Sequence, residues 1–481
     1  PYEFPKSIGA YVSTISEEIS EKEIKNRRDM RKVLTFTVDP HDAKDFDDAL
    51  SIEQISKDVW EIGIHIADVS HYVKEGTVLN DEAYERATSV YLVDRVVPML
   101  PEKLSNKVCS LRPHEEKLCF SAVFKMNRKA EVLGEWFGRT VIYSDHRFTY
   151  EDAQDVIEKK KGKFVDEILL MDQLAKKMRA KRIKEGAITF DRVEVKFHLD
   201  QSNNPSRVYF KKAKDANKLI EEFMLLANRQ VASFIGKKMD GSPSKKPFVY
   251  RVHDVPDPDK IGAFSAFVKQ FGYQMMMKTT KDIANSMNRV LADVSGKREE
   301  NIVELLAIRT MSKAKYTTEN IGHYGLGFHY YTHFTSPIRR WPDVMVHRLL
   351  QHYIDGGKIK NKEAIEAQCK HSSEMEKLST DAERSSIKYM QVKYLVGKEG
   401  HEFNALVSGV TEFGMFVELE DSLCEGLISM RDIKDDHYVL NKENFCLVGR
   451  KTGKKFQLGD QLRVRVRNVD LVKKQLDFEL V

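Results

Sequence analysis

The sequence predicts an α+β chain: a large domain of strands and helices followed by a small all-β domain. Three observations carry this. Apolar and polar residues alternate over short runs early in the chain, at 34–38 and 59–69. Apolar residues recur at helical spacing through long central stretches, notably 151–185 and 211–237. From about Glu402 the chain breaks into short strands separated by turns. At 481 residues there is length for two or more domains with ample cores, and the expected division is 1–398 and 399–481.

Composition narrows the class. With 41% hydrophobic and 31% charged residues the chain resembles an ordinary soluble protein. No apolar run approaches 18 residues and no secretory leader is visible, so neither a membrane span nor export is expected. The five cysteines, Cys109, Cys119, Cys369, Cys424 and Cys446, are odd in number and form no CxxC pair. They read as reduced thiols of a cytoplasmic protein, not a zinc site. A net charge of +5 is mild for this length and does not by itself imply nucleic acid.

The elements follow in order. Residues 15–31, rich in Glu, Lys and Arg, read as a solvated lead-in helix. In 34–38, Leu34, Phe36 and Val38 alternate with Thr35 and Thr37 as in a half-buried strand, which Pro40 ends. The acids Asp39, Asp42, Asp45, Asp47 and Asp48 therefore sit on a loop at a strand end. Carboxylates about 4 Å apart repel by about 4 kcal/mol at an effective dielectric near 20. If they converge, they stay ionised together only with cations among them, and hard oxygen ligands select magnesium or manganese. The competing reading is an acidic surface loop splayed into water, the commoner fate of such loops. An EF-hand is excluded, because neither the turn Gly nor the closing Glu is present.

Run 59–69 sets Trp60, Ile62, Ile64 and Ile66 against Glu61, Gly63 and His65, and ends near Asp68; His65 reads as structural. The helical region 151–185 carries Lys159, Lys160, Lys161 and Lys163 on a solvated face. ITFDRVEVKF, within 187–197, reads as a strand, and 211–237 as a helix whose LIEEFMLLAN string faces a core. Helical segments continue to about Ser312, and Thr380-Asp381 opens a helix running to Tyr394. The final strands are 403–410, 415–419, 426–429, 461–469 and 475–480. Residues 401–440 hold 2 basic and 9 acidic side chains, whereas 441–481 hold 10 and 5. Arg463, Arg465 and Arg467 alternate along one strand and share a face, as a cationic track or a solubilised edge.

Several strings together resemble one family. DPHDAKDFDDAL resembles the acidic signature of the RNB-domain exoribonucleases, the RNase II and RNase R family, and its wording is closest to the RNase R branch. SVYL, HFTSPIRRWPD and the later AER string are similar to family motifs as well, and GVTEFGMFVEL, GLISM and LGDQLRVRV resemble an S1-type module. The resemblance implies a mixed sheet surrounded by helices, then a five-stranded OB barrel. It implies Asp39, Asp45, Asp47 and Asp48 as ligands of two Mg2+ ions, with Mn2+ as a substitute, and leaves Asp42 without a role.

It further implies Asp47, Arg339 and Glu383 as catalytic residues, and Tyr91, Arg340, Phe413, Phe416, His437, Arg463 and Arg465 as contacts to single-stranded RNA. On the residues alone Tyr91 is equally a core aromatic, Arg339 and Glu383 ordinary surface charges, and the barrel aromatics equally filling. For a second stacking aromatic, Phe248 and Tyr250 are the candidates. The implied activity is processive 3′-to-5′ hydrolysis of RNA to 5′-mononucleotides by a cytoplasmic monomer. A non-catalytic RNA-binding protein on the same scaffold is the rival from another class, and a DNA exonuclease a third. Family members usually carry cold-shock-type domains ahead of this region and often a basic tail behind it; neither is in the sequence, as expected of a fragment.

Overall fold

A computed structural model describes residues 2–190, 193–297, 299–441 and 446–481, apart from the side chains of residues 193 and 301. Its first domain is built on a seven-stranded mixed sheet. The strands are β1 (Arg28–Asp29), β2 (Thr35–Asp39), β3 (Asp48–Ser56), β4 (Val59–Ala67), β5 (Glu116–Asn127), β6 (Val132–Tyr143) and β7 (His146–Thr149). Their order across the sheet is β1-β6-β5-β4-β3-β2-β7. Pairing is antiparallel through the middle and parallel at both edges, β1 with β6 and β2 with β7.

Apolar side chains of these strands make the core: Phe36, Leu50, Ile62, Ile64, Ile66, Phe120 and Phe124 are fully buried. Two helices, α1 (Asp215–Gly236) and α2 (Trp341–Ile354), contribute Phe223, Leu226, Trp341 and Val344 to the same core. His65 is buried between Ser121 and Ser51, with Nδ1 2.7 Å from one hydroxyl and Nε2 2.8 Å from the other. It is a satisfied core histidine whose protonation burial opposes.

Three sequence expectations are corrected. All five residues of β2 are buried, including Thr35 and Thr37, because elements cover both of its faces. The segment 15–31 is helical only over Glu21–Lys25, and Arg27 is buried in an ion pair with Asp68 at 2.8 Å. The helix expected to open at Thr380 begins at Lys362 and runs unbroken to Leu395; we call it α3. At 1.5 Å per residue its 34 residues span about 51 Å. The strand expected within 187–197 forms over Val193–Leu199, while residues 191 and 192 lie outside those described.

After α3, the strands β8 (Glu402–Thr411), β9 (Gly414–Leu419), β10 (Glu425–Ser429), β11 (Gln461–Asp470) and β12 (Gln475–Leu480) close into a barrel. Met415, Val417, Ile428, Val464 and Phe478 fill its interior. The barrel rests on α3: Lys388 Nζ donates to the Glu425 carbonyl, and Gln391 Nε2 to that of Leu423 at 2.7 Å. No described helix is long and apolar enough to cross a membrane.

Candidate active site

The acidic loop leaves β2 at Asp39 and rejoins the sheet at Asp48, where β3 begins. Ser110 pins it from behind, its Oγ donating to the Lys44 carbonyl at 2.8 Å and accepting the Phe46 N–H at 3.0 Å. Leu111 N–H donates to the Phe46 carbonyl at 2.9 Å and Ala67 N–H to the Asp47 carbonyl at 2.9 Å. These contacts turn Asp45 toward Tyr91 and Asp47 toward Arg339, with Phe46 facing the Arg147 guanidinium instead.

The turn Ser336–Arg339 meets Asp47. Ile338 N–H donates to Asp47 Oδ1 at 2.9 Å, and Arg339 Nε lies 3.7 Å from Oδ2. That turn is held rigidly from the far side. Ser336 N–H donates to Asp343 Oδ1 at 2.8 Å, Phe334 N–H to Asn228 Oδ1 at 2.8 Å, and Phe334 packs edge-on against Phe120 of the sheet. Arg340 forms a bidentate pair with the fully buried Asp343, at 2.9 and 2.8 Å. Its guanidinium is therefore committed inside the turn, and of the two arginines only Arg339 faces the acids.

The segment carrying Tyr91 is zipped to the same turn, with Ser89 N–H donating to the Arg339 carbonyl at 3.0 Å and Trp341 N–H to that of Ala87 at 2.8 Å. The Tyr91 hydroxyl makes a long contact, 3.5 Å, to Asp45 Oδ2, while Tyr91 N–H donates to Glu383 Oε1 at 3.0 Å. Ser379 Oγ donates to that Glu383 oxygen at 3.2 Å, and Val93 N–H to Ser386 Oγ at 3.1 Å. Glu383 thus acts on the backbone of Tyr91 and is a positioning residue in this arrangement. The ring of Tyr91 is exposed.

Burial and mutual repulsion dominate the electrostatics. Burial pushes the Asp39 carboxyl up to about 7, with the charges of Asp47 and Asp45 adding to the rise. Burial, then the charge of Asp39, pushes Asp48 up to about 8. Asp47 is held well above the usual carboxylate range by burial against the pull of Arg339, and Asp45 is raised by burial as well. Among the described residues, Asp39 Oδ2 is buried without a hydrogen-bond partner. Four carboxylates that repel in a poorly solvated pocket, one with an orphaned oxygen, are a donor set suited to a hard divalent cation.

Among the described residues no three acidic, imidazole or thiolate groups already stand as a closed cage for one ion. Magnesium does not require one, since it is commonly held by one or two carboxylates with waters and substrate phosphate completing the octahedron. The residues present therefore fit such an ion.

Two side chains near the acids were not legible from composition or spacing. Arg147 Nη2 donates to the Pro40 and His41 carbonyls, and burial together with the charges of Asp48 and Asp39 raises the Tyr150 phenol. Both arrive because β7 pairs in parallel with β2, setting Thr149 opposite Asp39. A parallel edge pairing across a hundred residues leaves no local pattern; the Thr149–Asp152 capping box that starts the next helix was the nearest signal. Phe248 and Tyr250, the candidates for a second stacking aromatic, are buried and pack on each other with ring centroids 5.9 Å apart, so neither can receive a base.

On the barrel, Phe413 is 76% exposed, His437 is exposed and Phe416 half-buried. Arg463 and Arg465 share a face as expected, but both pair with Glu402, at 3.0 and 2.9 Å, and Arg465 also with Glu479 at 3.1 Å. Arg467 pairs with Asp432. The track is a row of surface ion pairs, each individually weak.

Comparison with known proteins gives this arrangement a family. The RNB domain model matches residues 27–356, and the S1 RNA binding domain model residues 397–480. The chain belongs to the RNB family of exoribonucleases. It is 39% identical to Ribonuclease R of Aquifex aeolicus over 490 residues, covering all of this chain and 68% of that protein. It is 35% identical to Ribonuclease R 1 of Lactococcus lactis, covering 99% of this chain and 59% of the relative. The chain thus spans roughly three fifths to two thirds of the length of these RNB relatives. The structure of Mycoplasma genitalium RNase R in complex with ribose methylated single-stranded RNA superposes with a TM-score of 0.91 at 27% identity, covering all of this chain and 76% of that one.

Proposed function

We propose that this chain is the catalytic and S1 portion of a hydrolytic 3′-to-5′ exoribonuclease that degrades single-stranded RNA processively, without sequence preference, to 5′-mononucleotides. One observation carries the reading. Residues 291 positions apart bring the acid Asp47 to the Ile338–Arg339 turn. In the same pocket Tyr91 reaches Asp45 and is held by Glu383. Acids, a cation and an aromatic ring are what a nuclease needs at the end of a strand.

The division of labour follows from the contacts. Arg339 presents a fork of charged donors, so it neutralises charge developing on phosphoryl oxygens. Asp47 orients Arg339 and the turn that carries it. Tyr91 stacks on the terminal base, worth about 1–3 kcal/mol irrespective of base identity, which suits an enzyme indifferent to sequence. Glu383 fixes the height of Tyr91. Asp39, Asp45, Asp47 and Asp48 would hold two magnesium ions, with manganese able to replace them. When bound, such ions polarise the phosphodiester and ease ionisation of the attacking water.

The exposed Phe413 and His437 with the arginine row of the barrel form a second RNA contact, and α3 links it mechanically to Tyr91 through Glu383. Domains meeting at 398/399, a monomer and a cytoplasmic setting complete the reading. Its rival, a scaffold that only binds RNA, would leave the acids with no task, yet all four are retained.

The test uses 5′-labelled RNA with magnesium, repeated with chelator, with DNA of the same sequence, and with Asp47→Asn. A ladder shortening from the 3′ end only with both RNA and magnesium supports the proposal. Tight binding without shortening refutes it, and equal use of DNA would make the enzyme a general exonuclease, blind to the 2′-hydroxyl.

A further inference from the structure

Behind the acidic loop lies a separate cavity of about 720 Å3, within the range of small-ligand sites. Lys44, Lys103, Lys107, Arg112 and Arg147 line it against a single acid, Glu102. Three of these cations are engaged. Lys103 Nζ donates to the Val12 and Ile15 carbonyls at 3.2 and 2.8 Å, Arg147 holds the Pro40 and His41 carbonyls, and Arg112 lies 3.4 Å from Glu115. Lys44 and Lys107 are exposed and make no ion pair with any described residue.

The cavity and the candidate active site share one wall. Asp45 and Asp47 face Tyr91 and Arg339 across it, whereas Phe46 between them faces the cavity beneath the Arg147 guanidinium, 5.3 Å from its ring centroid. Ala43 and Pro113 extend the apolar side of the lining. An excess of positive charge with two uncommitted ammonium groups, set beside a small apolar wall, is complementary to a compact dianion carrying a flat organic body.

We propose that this cavity binds a nucleoside 5′-monophosphate, with the phosphate among Lys44, Lys107 and Arg112 and the base against the half-buried Ala43 and Pro113 side of the lining. The inference rests on the exoribonuclease reading, because that reaction generates this class of molecule beside the same loop. Occupancy would neutralise the lysine that directly precedes Asp45 and brace the loop that Ser110 pins.

Calorimetry on the full chain, in chelator so that the acids repel anions, tests the site with AMP, inorganic phosphate and adenosine. AMP should bind, phosphate more weakly and adenosine not at all. The double variant Lys44→Ala/Lys107→Ala should weaken AMP at least about tenfold, the equivalent of losing one charge-assisted contact. Lys107→Glu alone should abolish phosphate binding. Lys370→Ala, in a groove formed by other elements, should change nothing. Absence of AMP binding, or binding equal in the double variant, overturns the proposal. So does a double variant that loses affinity for long RNA while keeping it for AMP. RNA shortening measured in parallel separates the two readings: shortening without AMP binding sinks only the cavity, and AMP binding without shortening sinks only the nuclease.

Discussion

Asp47→Asn is the substitution that separates chemistry from architecture at this site. The wild-type carboxylate accepts the Ile338 N–H at 2.9 Å through Oδ1 and faces Arg339 through Oδ2 at 3.7 Å. Asparagine keeps an oxygen for the Ile338 amide and removes the charge. Because burial already holds the Asp47 carboxyl well above its usual range, taking the charge away relieves a desolvation cost, and thermal stability should be unchanged or higher. Turnover should fall roughly 10²–10⁴-fold, about 2.7–5.4 kcal/mol of transition-state stabilisation at about 1.36 kcal/mol per decade. Asp47→Ala should lose the same activity and also strand the buried amide, costing about 1–3 kcal/mol of stability. Single-turnover cleavage of labelled RNA and thermal melts read the two quantities separately. An Asn variant within tenfold of wild type, or one that melts as early as the Ala variant, refutes the reasoning.

Other expectations follow from the same geometry. Asp39 and Asp48, raised to about 7 and about 8 from 3.8, bind protons more tightly folded than unfolded. Metal-free protein should therefore lose stability as pH rises from about 4 to 8, and magnesium should flatten that slope; melts in chelator and in magnesium across this range check it. Tyr91→Ala should weaken short-oligonucleotide binding by about 1–3 kcal/mol in an Asp47→Asn background, whereas Tyr91→Phe should not, as measured by fluorescence titration. Arg27→Ala should destabilise by about 3–5 kcal/mol in denaturant melts, because it removes the closer of the two cations, Arg27 at 2.8 Å and Arg139 at 3.3 Å, that pair with the fully buried Asp68. Phe413→Ala on the barrel should weaken long RNA more than a pentamer, since its exposed ring lies on the domain beyond α3.

Local pattern was enough for the elements whose cause is local. Period-two alternation located β4 and the barrel strands to within a residue or two, and Pro40 placed the acids on a loop, because burial of one face leaves its rhythm in neighbouring residues. Motif wording went further, tying Asp39, Asp45, Asp47 and Asp48 to a family before any contact was visible. What spacing could not carry was which distant groups meet. Thr35 and Thr37 alternate like solvent-facing residues and are buried; Arg340 looks as available as Arg339 and is held by Asp343; Arg147 and Tyr150 reach the acids only through a parallel edge pairing. The physical reason is common to all three. Amphipathic rhythm records the exposure of a residue relative to its neighbours, whereas charge pairing, shared desolvation and the back wall of the acidic loop depend on segments that chain folding alone brings together.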